Sequence, residues 1–565
     1  MLLIPLFLLI YLLAAPAASH SHRQVSTPIV AISKPEATFI GSTSRNVDSF
    51  HGIPYALAPT GPLRLRPPRT ITAPLGIVQL NSTFKSCPQL LHKTATHNLP
   101  FSTLVKEATS APYFHNISYT GEDCLNMNIM RPSGTVAGAN LPVLVWVFGG
   151  GFEIGSTISY DPTTLITASV SLKMPVIFVA MNYRLGGFGF LPGSEVLKDG
   201  AANLGILDQR LALEWVADHI GDFGGDPSKV TIWGQSAGSI SVFTQMAMYD
   251  GNITYKGSPL FRAAIMSSGS IAPTSPIDGV KGQAVYDSIV KEAGCNETND
   301  TLACLRDLDY PTFLRATNSV PRWFSYNSVA LSYLPRPDGT VLTDSPETLV
   351  KSGKYALVPF IIGDQEDEGT IFSLFQSNIT IETEIVDYLK SIFFLDAPRD
   401  LLESLVATYP NITTDGSPFR TGTRNNLYPQ YKRIAAVLGD FTFTLARRVF
   451  LTLASQVRPE VPSWSYLSSY NYGTPILGTF HGSDILQIFY GNWPDYVSRA
   501  IPTYILSFVY DLDPNSRDTG YMAWPQWRFN NSLMNFLRNN ASIINDDFRK
   551  GSFEVLSENT GYFHI

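Results

Sequence analysis

The chain has 565 residues, of which 44% are hydrophobic and 15% charged, and 40 Lys and Arg against 47 Asp and Glu leave a net charge of −7. The hydrophobic fraction is that of a globular protein and excludes wholesale disorder. A net-acidic chain without Lys or Arg clusters is a poor partner for phosphate backbones, so we expect no nucleic-acid binding.

The N-terminal residues predict that the protein is exported from the cell. Residues 2–18 form an unbroken apolar run that ends in small residues. Such a run is slightly short for a membrane span and is typical of a signal peptide, here over residues 1–18, which predicts a secreted, extracellular protein. A retained membrane anchor is the alternative, but no polar stop-transfer flank follows. We expect no integral membrane segment in the mature chain.

Four cysteines follow, at Cys87, Cys124, Cys295 and Cys304. They allow three pairings, and spacing alone does not select one; pairing of nearest neighbours is favoured because it closes two local loops. A zinc site is the alternative, but C-x-x-C pairs and matching His spacing are missing, so no metal site is predicted. The secretory route makes nine N-x-S/T sequons candidates for glycosylation. These are Asn81, Asn116, Asn252, Asn296, Asn299, Asn378, Asn411, Asn530 and Asn540.

Short apolar runs that end in loop residues predict buried strands. In chain order these runs are 141–148, 175–181, 230–233, 261–266 and 358–362. The spacing of apolar residues predicts a helix over 208–219, and a stretch without Gly or Pro predicts a second over 239–248. Strands that alternate with helices favour the α/β class, with a mainly parallel sheet covered on both faces.

The pentapeptide Gly234–Gly238 reads G-x-S-x-G, and it directly follows the predicted strand at 230–233 and precedes a predicted helix. In that context the tight turn lifts the serine above the carboxyl edge of the sheet and strains its backbone. The pattern therefore predicts Ser236 as a nucleophile, and a chance Gly-Ser-Gly turn is the alternative.

A serine nucleophile needs a general base, and in this context the chain order is Ser, acid, His. Two histidines follow Ser236, His481 and His564. The penultimate His564 is expected to be mobile and a poor platform for catalysis, so elimination leaves His481.

The acid that orients the histidine must lie between Ser236 and His481. Four acids, Asp364, Glu366, Asp367 and Glu368, directly follow the predicted strand at 358–362. Spacing does not choose among them, and a solvated acidic turn is the alternative. The adjacent Gly369, which would allow a sharp backbone turn, gives Glu368 a modest lead.

An oxyanion needs backbone N–H donors, one from the residue after the nucleophile and others from a glycine-rich loop. Ala237 supplies the first, and Gly149–Gly151 follow the predicted strand at 141–148. A phosphate-binding loop is the alternative, but its motif and its lysine are missing.

Several segments together resemble the type-B carboxylesterase/lipase family of the α/β-hydrolase fold, and three of them are most similar to its fungal lipase and sterol-esterase branch. The resemblance extends from about residue 30 nearly to the C-terminus. The segments are 122–125, 182–184, 203–210 and 223–238, with 146–155, 364–370 and 478–482 carrying the likeness to the fungal branch.

The resemblance implies a large, mostly parallel central sheet with helices on both faces, in a single domain over residues 19–565. It implies a catalytic triad of Ser236, Glu368 and His481. It also implies an oxyanion hole formed by Gly150, Gly151 and Ala237. It implies two disulfides as well, Cys87–Cys124 and Cys295–Cys304.

The chain departs from the family pattern at two positions. Gln235 stands before the nucleophile where the family usually has Glu, and Asn126 replaces the usual aromatic residue or Thr. The first change removes a charge beside His481 and would alter the pH range of activity.

The loop 87–124 is similar to the lid of the lipase branch, and an amphipathic flap there could open against lipid. An ordinary packed surface loop is an equal alternative. Its apolar residues are Leu90, Leu91, Leu99, Phe101, Leu104, Val105, Tyr113 and Phe114.

We therefore expect a secreted serine ester hydrolase that cleaves carboxylic esters, above all acylglycerols or sterol esters, through an acyl-enzyme on Ser236, without metal or organic cofactor. The expected partner is a small-molecule or lipid ester substrate, which a lipase would bind at a lipid–water interface. An esterase for small or aromatic esters without interfacial activation is the alternative. A non-catalytic binding protein of the same fold is disfavoured because all three triad residues are present.

Overall fold

The computed structural model describes residues 27–80, 83–90, 117–470, 473–490, 495–517 and 520–565. The predicted signal peptide, the sequons Asn81 and Asn116, and residues 91–116 of the predicted lid lie outside the described residues.

The strands and helices of the described residues alternate over most of the chain. The strands are β1 (Ile29–Ser33), β2 (Glu36–Ile40), β3 (Ser42–Ser44), β4 (Val47–Pro54), β5 (Gly76–Gln79), β6 (Asn126–Pro132), β7 (Leu141–Val147), β8 (Ile177–Met181), β9 (Gly225–Gln235), β10 (Thr254–Tyr255), β11 (Ser258–Pro259), β12 (Ala263–Ser267), β13 (Phe360–Gln365), β14 (Ser463–Ser468), β15 (Ser532–Phe536) and β16 (Ala541–Asn545). The α-helices are α1 (Thr163–Ser171), α2 (Gly186–Gly189), α3 (Ser194–Asp199), α4 (Leu204–His219), α5 (Ala237–Gly251), α6 (Val280–Glu292), α7 (Thr301–Asp307), α8 (Tyr310–Thr317), α9 (Pro346–Lys351), α10 (Glu382–Tyr388), α11 (Arg399–Ala407), α12 (Tyr431–Gly439), α13 (Leu445–Val457), α14 (Ser483–Ile488), α15 (Tyr496–Asp511), α16 (Trp527–Asn530) and α17 (Lys550–Glu558).

The main sheet of the described chain has eleven strands in the order β16-β15-β14-β13-β12-β9-β7-β8-β6-β4-β3. Pairings from β15 through β8 are parallel, whereas β16 at one edge and β6, β4 and β3 at the other pair antiparallel. The α/β class with a mostly parallel sheet is thereby confirmed. A smaller sheet joins β1, β2 and β5.

The central strands are buried along their whole length, as in β8, β12, β13 and β14. A strand with both faces buried needs cover on both sides of the sheet. Helices α5 and α15 both pack on β7 and β9. Trp146 of β7 faces Trp233 of β9 in register, with ring centroids 5.0 Å apart. The centre of the sheet is therefore a continuous apolar core.

The predicted strands and helices are present, and their ends differ by up to five residues. The strand predicted at 230–233 extends over Gly225–Gln235, and the helix predicted at 208–219 begins at Leu204. The antiparallel strands at either edge carry Gly, Pro and polar residues and were not predicted. No helix of the described ranges combines the length and hydropathy needed to cross a membrane.

Both cysteine pairs are joined as disulfides, Cys87–Cys124 and Cys295–Cys304. The first joins the two ends of the loop 87–124, and Leu90 within that loop is buried. No free cysteine occurs in the described part of the chain.

A buried charge network ties the last strands to the centre of the sheet. Arg447 on α13 donates from Nε to Asp364 of β13 at 2.8 Å, and from both Nη atoms to Asp546 after β16 at 2.7 and 2.9 Å. Arg448 also donates to Asp546. Burial raises the pKa of Asp546, but the attraction of Arg447 and Arg448 outweighs it and leaves that pKa below its ordinary value.

Removal of one partner of a buried ion pair leaves an uncompensated charge in a medium of low polarity. We expect Asp546→Ala to lower the free energy of unfolding by about 3–5 kcal/mol. Urea unfolding followed by tryptophan fluorescence measures the change. The control is Asp511→Ala, which breaks the exposed Arg517–Asp511 pair and should cost less than about 1 kcal/mol. Equal losses in the two variants would contradict the role of the network.

Candidate active site

Ser236 lies in the sharp turn between β9 and α5. Its φ of 58° and ψ of −128° are strained values for a residue with a side chain. A Cβ at Gly234 would lie 2.2 Å from the carbonyl oxygen of Gly238, and one at Gly238 would lie 2.0 Å from that of Val147. The two glycines of the motif are therefore required by close backbone packing. The N–H of Ser236 donates to the carbonyl of Ser267 on β12 at 2.9 Å.

The imidazole of His481 lies between Ser236 and Glu368. Its Nε2 is 2.8 Å from Ser236 Oγ, and its Nδ1 contacts Glu368 Oε2. The other carboxylate oxygen of Glu368 accepts from the N–H of Gln365 at 2.7 Å. An imidazole that donates from Nδ1 to a carboxylate has Nε2 free to accept the serine proton. This geometry can activate the hydroxyl of Ser236.

The four acids at the end of β13 and directly after it each have different partners, which the sequence could not reveal. Asp364 binds Arg447, and Glu366 binds Arg420. Asp367 accepts from the N–H of Thr479 at 2.9 Å. Glu368 is the acid of the four that contacts His481.

The structure adds detail to two sequence-based expectations about the neighbourhood of these residues. The backbone turns at residues 368–370 without a left-handed φ at Gly369; glycine is needed because a Cβ there would lie 1.9 Å from the carbonyl oxygen of Ala435 on α12. His564 was expected to be mobile and a poor platform, but its Nε2 lies 2.8 Å from Oε1 of the buried Glu347. His564 nevertheless has no contact with Ser236.

Two loops that are distant in sequence are joined beside the catalytic candidates. Asp367 pairs with the segment before His481 through its N–H, which donates to the carbonyl of Thr479 at 2.9 Å. Its carboxylate accepts from the N–H of Thr479 and from Ser417 Oγ, each at 2.9 Å. Because Glu368 directly follows Asp367, this pairing sets the distance between Glu368 and His481.

The glycine-rich loop after β7 lies against the nucleophile. A Cβ at Gly149 would lie 2.8 Å from Cβ of Ser236, and Gly150 and Gly151 have φ values of 107° and 65°. Gly150, Gly151 and Ala237 line the same cavity as Ser236. Backbone N–H groups of this loop and of Ala237 are thus close to the serine, as an oxyanion site requires.

Ser236 and His481 open into an apolar cavity. Phe372 and Phe443 flank the imidazole, with ring centroids 5.0 and 4.6 Å from it. The cavity is lined by aliphatic and aromatic side chains from distant segments, which no local pattern marks. They include Ile154, Ile240, Ile271, Trp323, Leu331, Leu334, Ile371, Val449, Leu556, Phe563 and Ile565. Such a cavity suits a substrate with a large apolar part.

Two further predictions, the glycosylation sequons and the absence of a metal site, concern residues other than Ser236, Glu368 and His481. The asparagines of the seven described sequons are all exposed, at positions 252, 296, 299, 378, 411, 530 and 540. Their glycosylation stays a prediction. Among the described residues, no group of three or more His, Cys, Asp or Glu side chains could hold a metal ion.

The two departures from the family pattern are both buried. Gln235 is 3% exposed, and its Nε2 lies 3.4 Å from His481 Nε2. Asn126 donates to the carbonyl of Lys85 at 3.0 Å and accepts from Asn182 at 2.9 Å. Asn126 is therefore a structural residue at the base of the first disulfide.

The chain is similar to proteins of known family over nearly its whole length. A sequence model of the carboxylesterase family matches residues 26–554. "Secreted lipase 1" of Botryotinia fuckeliana is 53% identical, and the match covers 100% of this chain and 99% of the relative. "Secreted triacylglycerol lipase LIP1" of Gibberella zeae is 52% identical, with 97% and 93% covered. The crystal structure of Aspergillus niger EstA matches with a TM-score of 0.78 and 25% identity, over 96% of this chain and 99% of that one.

A carboxylate at position 235 would favour the protonated form of the adjacent His481, which cannot accept the serine proton. We expect Gln235→Glu to move the acidic limb of the kcat/KM profile for p-nitrophenyl butyrate to higher pH, by about 1–3 units. The control is Gln430→Glu, a buried glutamine outside the cavity lining. An unchanged acidic limb in Gln235→Glu would show that the charge at 235 does not act on His481.

Proposed function

The chain belongs to the carboxylesterase family and is a carboxylic ester hydrolase, and from this premise we propose that it is a secreted lipase that works through an acyl-enzyme on Ser236. The observation that carries the proposal is the alignment of Ser236 Oγ, His481 and Glu368 at the mouth of an apolar cavity. This alignment supports catalytic roles for all three residues.

In the first half of the reaction, Ser236 Oγ attacks the ester carbonyl carbon while His481 Nε2 takes the hydroxyl proton. Glu368 stabilises the imidazolium and fixes the ring. The N–H groups of Gly150, Gly151 and Ala237 stabilise the oxyanion of the tetrahedral intermediate. The intermediate collapses, and His481 gives its proton to the departing alcohol.

In the second half, His481 takes a proton from water, and the resulting hydroxide attacks the carbonyl carbon of the acyl-enzyme. The same N–H donors stabilise the second oxyanion. The bond to Ser236 Oγ breaks, His481 returns the proton to the serine, and the carboxylic acid leaves. These steps use the side chains of this protein and water.

The apolar lining supports a lipid ester, an acylglycerol or a sterol ester, as the substrate. A buried methylene contributes about 0.8 kcal/mol, so a cavity with mainly aliphatic and aromatic walls favours long acyl chains. The names of the two relatives that are 53% and 52% identical, a secreted lipase and a secreted triacylglycerol lipase, agree with this choice.

The remaining parts of the proposal concern the whole protein. Residues 1–18 act as a signal peptide, residues 19–565 form a single hydrolase domain, and the loop 87–124 acts as a lid. The apolar run at the start of the chain and the names of the secreted relatives support export.

The proposal predicts that Ser236→Ala abolishes hydrolysis of p-nitrophenyl butyrate and palmitate. Loss of the nucleophile of such a triad lowers kcat by about 10⁶-fold. Ser404→Ala on the exposed face of α11 is the matched control and should keep wild-type rates. Circular dichroism checks that both variants fold. A wild type that hydrolyses neither ester would overturn the proposal in favour of a binding protein.

Lipase and esterase behaviour differ at the solubility limit of the substrate. The lipase proposal predicts that the rate of tributyrin hydrolysis rises sharply once the substrate forms an emulsion. A saturation curve that passes the solubility limit without a rise would instead favour an esterase for dissolved esters.

A further inference from the structure

Glu153 is a buried acid that the mechanism above does not use. Its side chain is 0% exposed, and it follows Gly150 and Gly151 in the loop that lines the cavity. Among the described residues, its Oε1 has no hydrogen-bond partner. An ionised carboxyl group in such a place is costly unless it is paired and hydrogen-bonded, so an unpaired one stays neutral.

Glu153 joins three segments that are distant in sequence. Its own N–H donates to the carbonyl of Gly150 at 3.1 Å, which closes the glycine-rich turn. Its carbonyl accepts from the N–H of Leu90 at 2.9 Å, next to the first disulfide. Its Oε2 accepts from the N–H of Trp323 at 3.2 Å.

The contact with Trp323 bears directly on the candidate oxyanion donors. A Cβ at Gly151 would lie 3.0 Å from Cδ1 of Trp323, so the indole already packs against this glycine. Trp323 also contacts Phe372, whose ring packs on His481. A shift of Trp323 would therefore change the packing around both Gly151 and His481.

We propose that Glu153 is a positioning residue that, as a neutral carboxyl group, holds Trp323 against Gly151 and so fixes the N–H donors of the oxyanion hole. The inference rests on the proposed function, because it assigns a role within the same reaction. Glu153 touches neither substrate nor the reacting atoms, and it acts through Gly151 and Trp323.

The protonation state follows from the surroundings. Burial raises the pKa of Glu153 to about 8, although the N–H of Trp323 and the charge of Arg322 oppose this rise. Tyr333 also faces Glu153, and burial raises the pKa of that phenol well above its ordinary value, so it adds no charge near neutral pH. Ionisation above about pH 8 would place a buried negative charge on the loop that carries the candidate oxyanion donors Gly150 and Gly151.

Two variants at position 153 test the hydrogen bond to Trp323 and the charge of the carboxyl group separately. Glu153→Gln keeps the acceptor for Trp323 and cannot ionise, whereas Glu153→Leu keeps the size and loses the acceptor. We expect Glu153→Leu to lower kcat for p-nitrophenyl butyrate by about 10- to 100-fold, since a donor displaced by about 1 Å loses this much. KM should change less than kcat, and Glu153→Gln should stay within about threefold of wild type.

The pH profile tests the neutral state. We expect kcat of the wild type to fall as pH rises through about 8, and this alkaline limb to be absent in Glu153→Gln. Glu347→Gln is the matched control, since Glu347 is also buried but lies on α9 and binds His564. Its alkaline limb should remain that of the wild type.

A measurement without substrate tests the neutral state independently. The folded protein keeps the Glu153 proton up to about pH 8, whereas the unfolded chain releases it near pH 4.5. Wild-type stability therefore falls across this range, and the Tm advantage of Glu153→Gln should grow from pH 5 to pH 8.

The outcomes are distinguishable. Wild-type kcat in a folded Glu153→Leu would overturn the positioning role. An alkaline limb that persists in Glu153→Gln, or a Tm difference that does not change with pH, would overturn the neutral state. If the wild type hydrolyses no ester, the proposed function and the positioning role both fail, while the Tm series still decides the charge of Glu153.

Discussion

The pairing of Asp367 with Thr479 is the constraint on which the geometry of the site depends. Ser236 and Glu368 closely follow two parallel strands, β9 and β13, on either side of β12. His481, in contrast, lies thirteen residues beyond the end of β14 (Ser463–Ser468), on a loop. A loop of this length has no inherent reason to hold an imidazole to a fraction of an ångström. The N–H of Asp367 donates to the carbonyl of Thr479, and the N–H of Thr479 donates back to the Asp367 carboxylate; these two bonds supply that restraint. Glu368 and His481 are therefore held by one local pairing.

Close backbone packing supplies the second restraint, at Ser236. The strained φ and ψ of Ser236 persist because the turn is fixed on several sides: its N–H donates to Ser267, and Gly234 and Gly238 bring neighbouring backbone to distances that leave no room for a side chain. Glycine at 149 likewise allows the next loop to approach Ser236. Strain at one residue is stable here because the surrounding sheet is buried and rigid.

The sequence predicted the central strands of the sheet and the chain order of the site residues. It did not predict the strands at the edges of the sheet or the residues that line the cavity. Short apolar runs mark β7, β8 and β12 because strands buried on both faces carry no alternation. The strand β4, next to the edge strand β3, contains Gly and Pro and gives no such signal. The motif around Ser236 and the rule of chain order selected His481, but the choice among four acids rested on family resemblance. The four acids differ in their partners, and partners such as Arg447 and Thr479 lie about a hundred positions away from them in the sequence.

The same low polarity that would strengthen catalysis determines which side chains near the site can be charged. Apolar walls raise the energy of any interaction with an oxyanion or an imidazolium, since water no longer screens it. A buried carboxyl group in such a place needs hydrogen-bond partners, and Glu368 has them in Gln365 and His481. Glu153, equally buried, has the N–H of Trp323 and no partner for its second oxygen among the described residues. Two glutamates on loops at the same edge of the sheet thus differ in their hydrogen-bond partners: both carboxylate oxygens of Glu368 have one, whereas only one oxygen of Glu153 does, and burial raises the pKa of Glu153 to about 8.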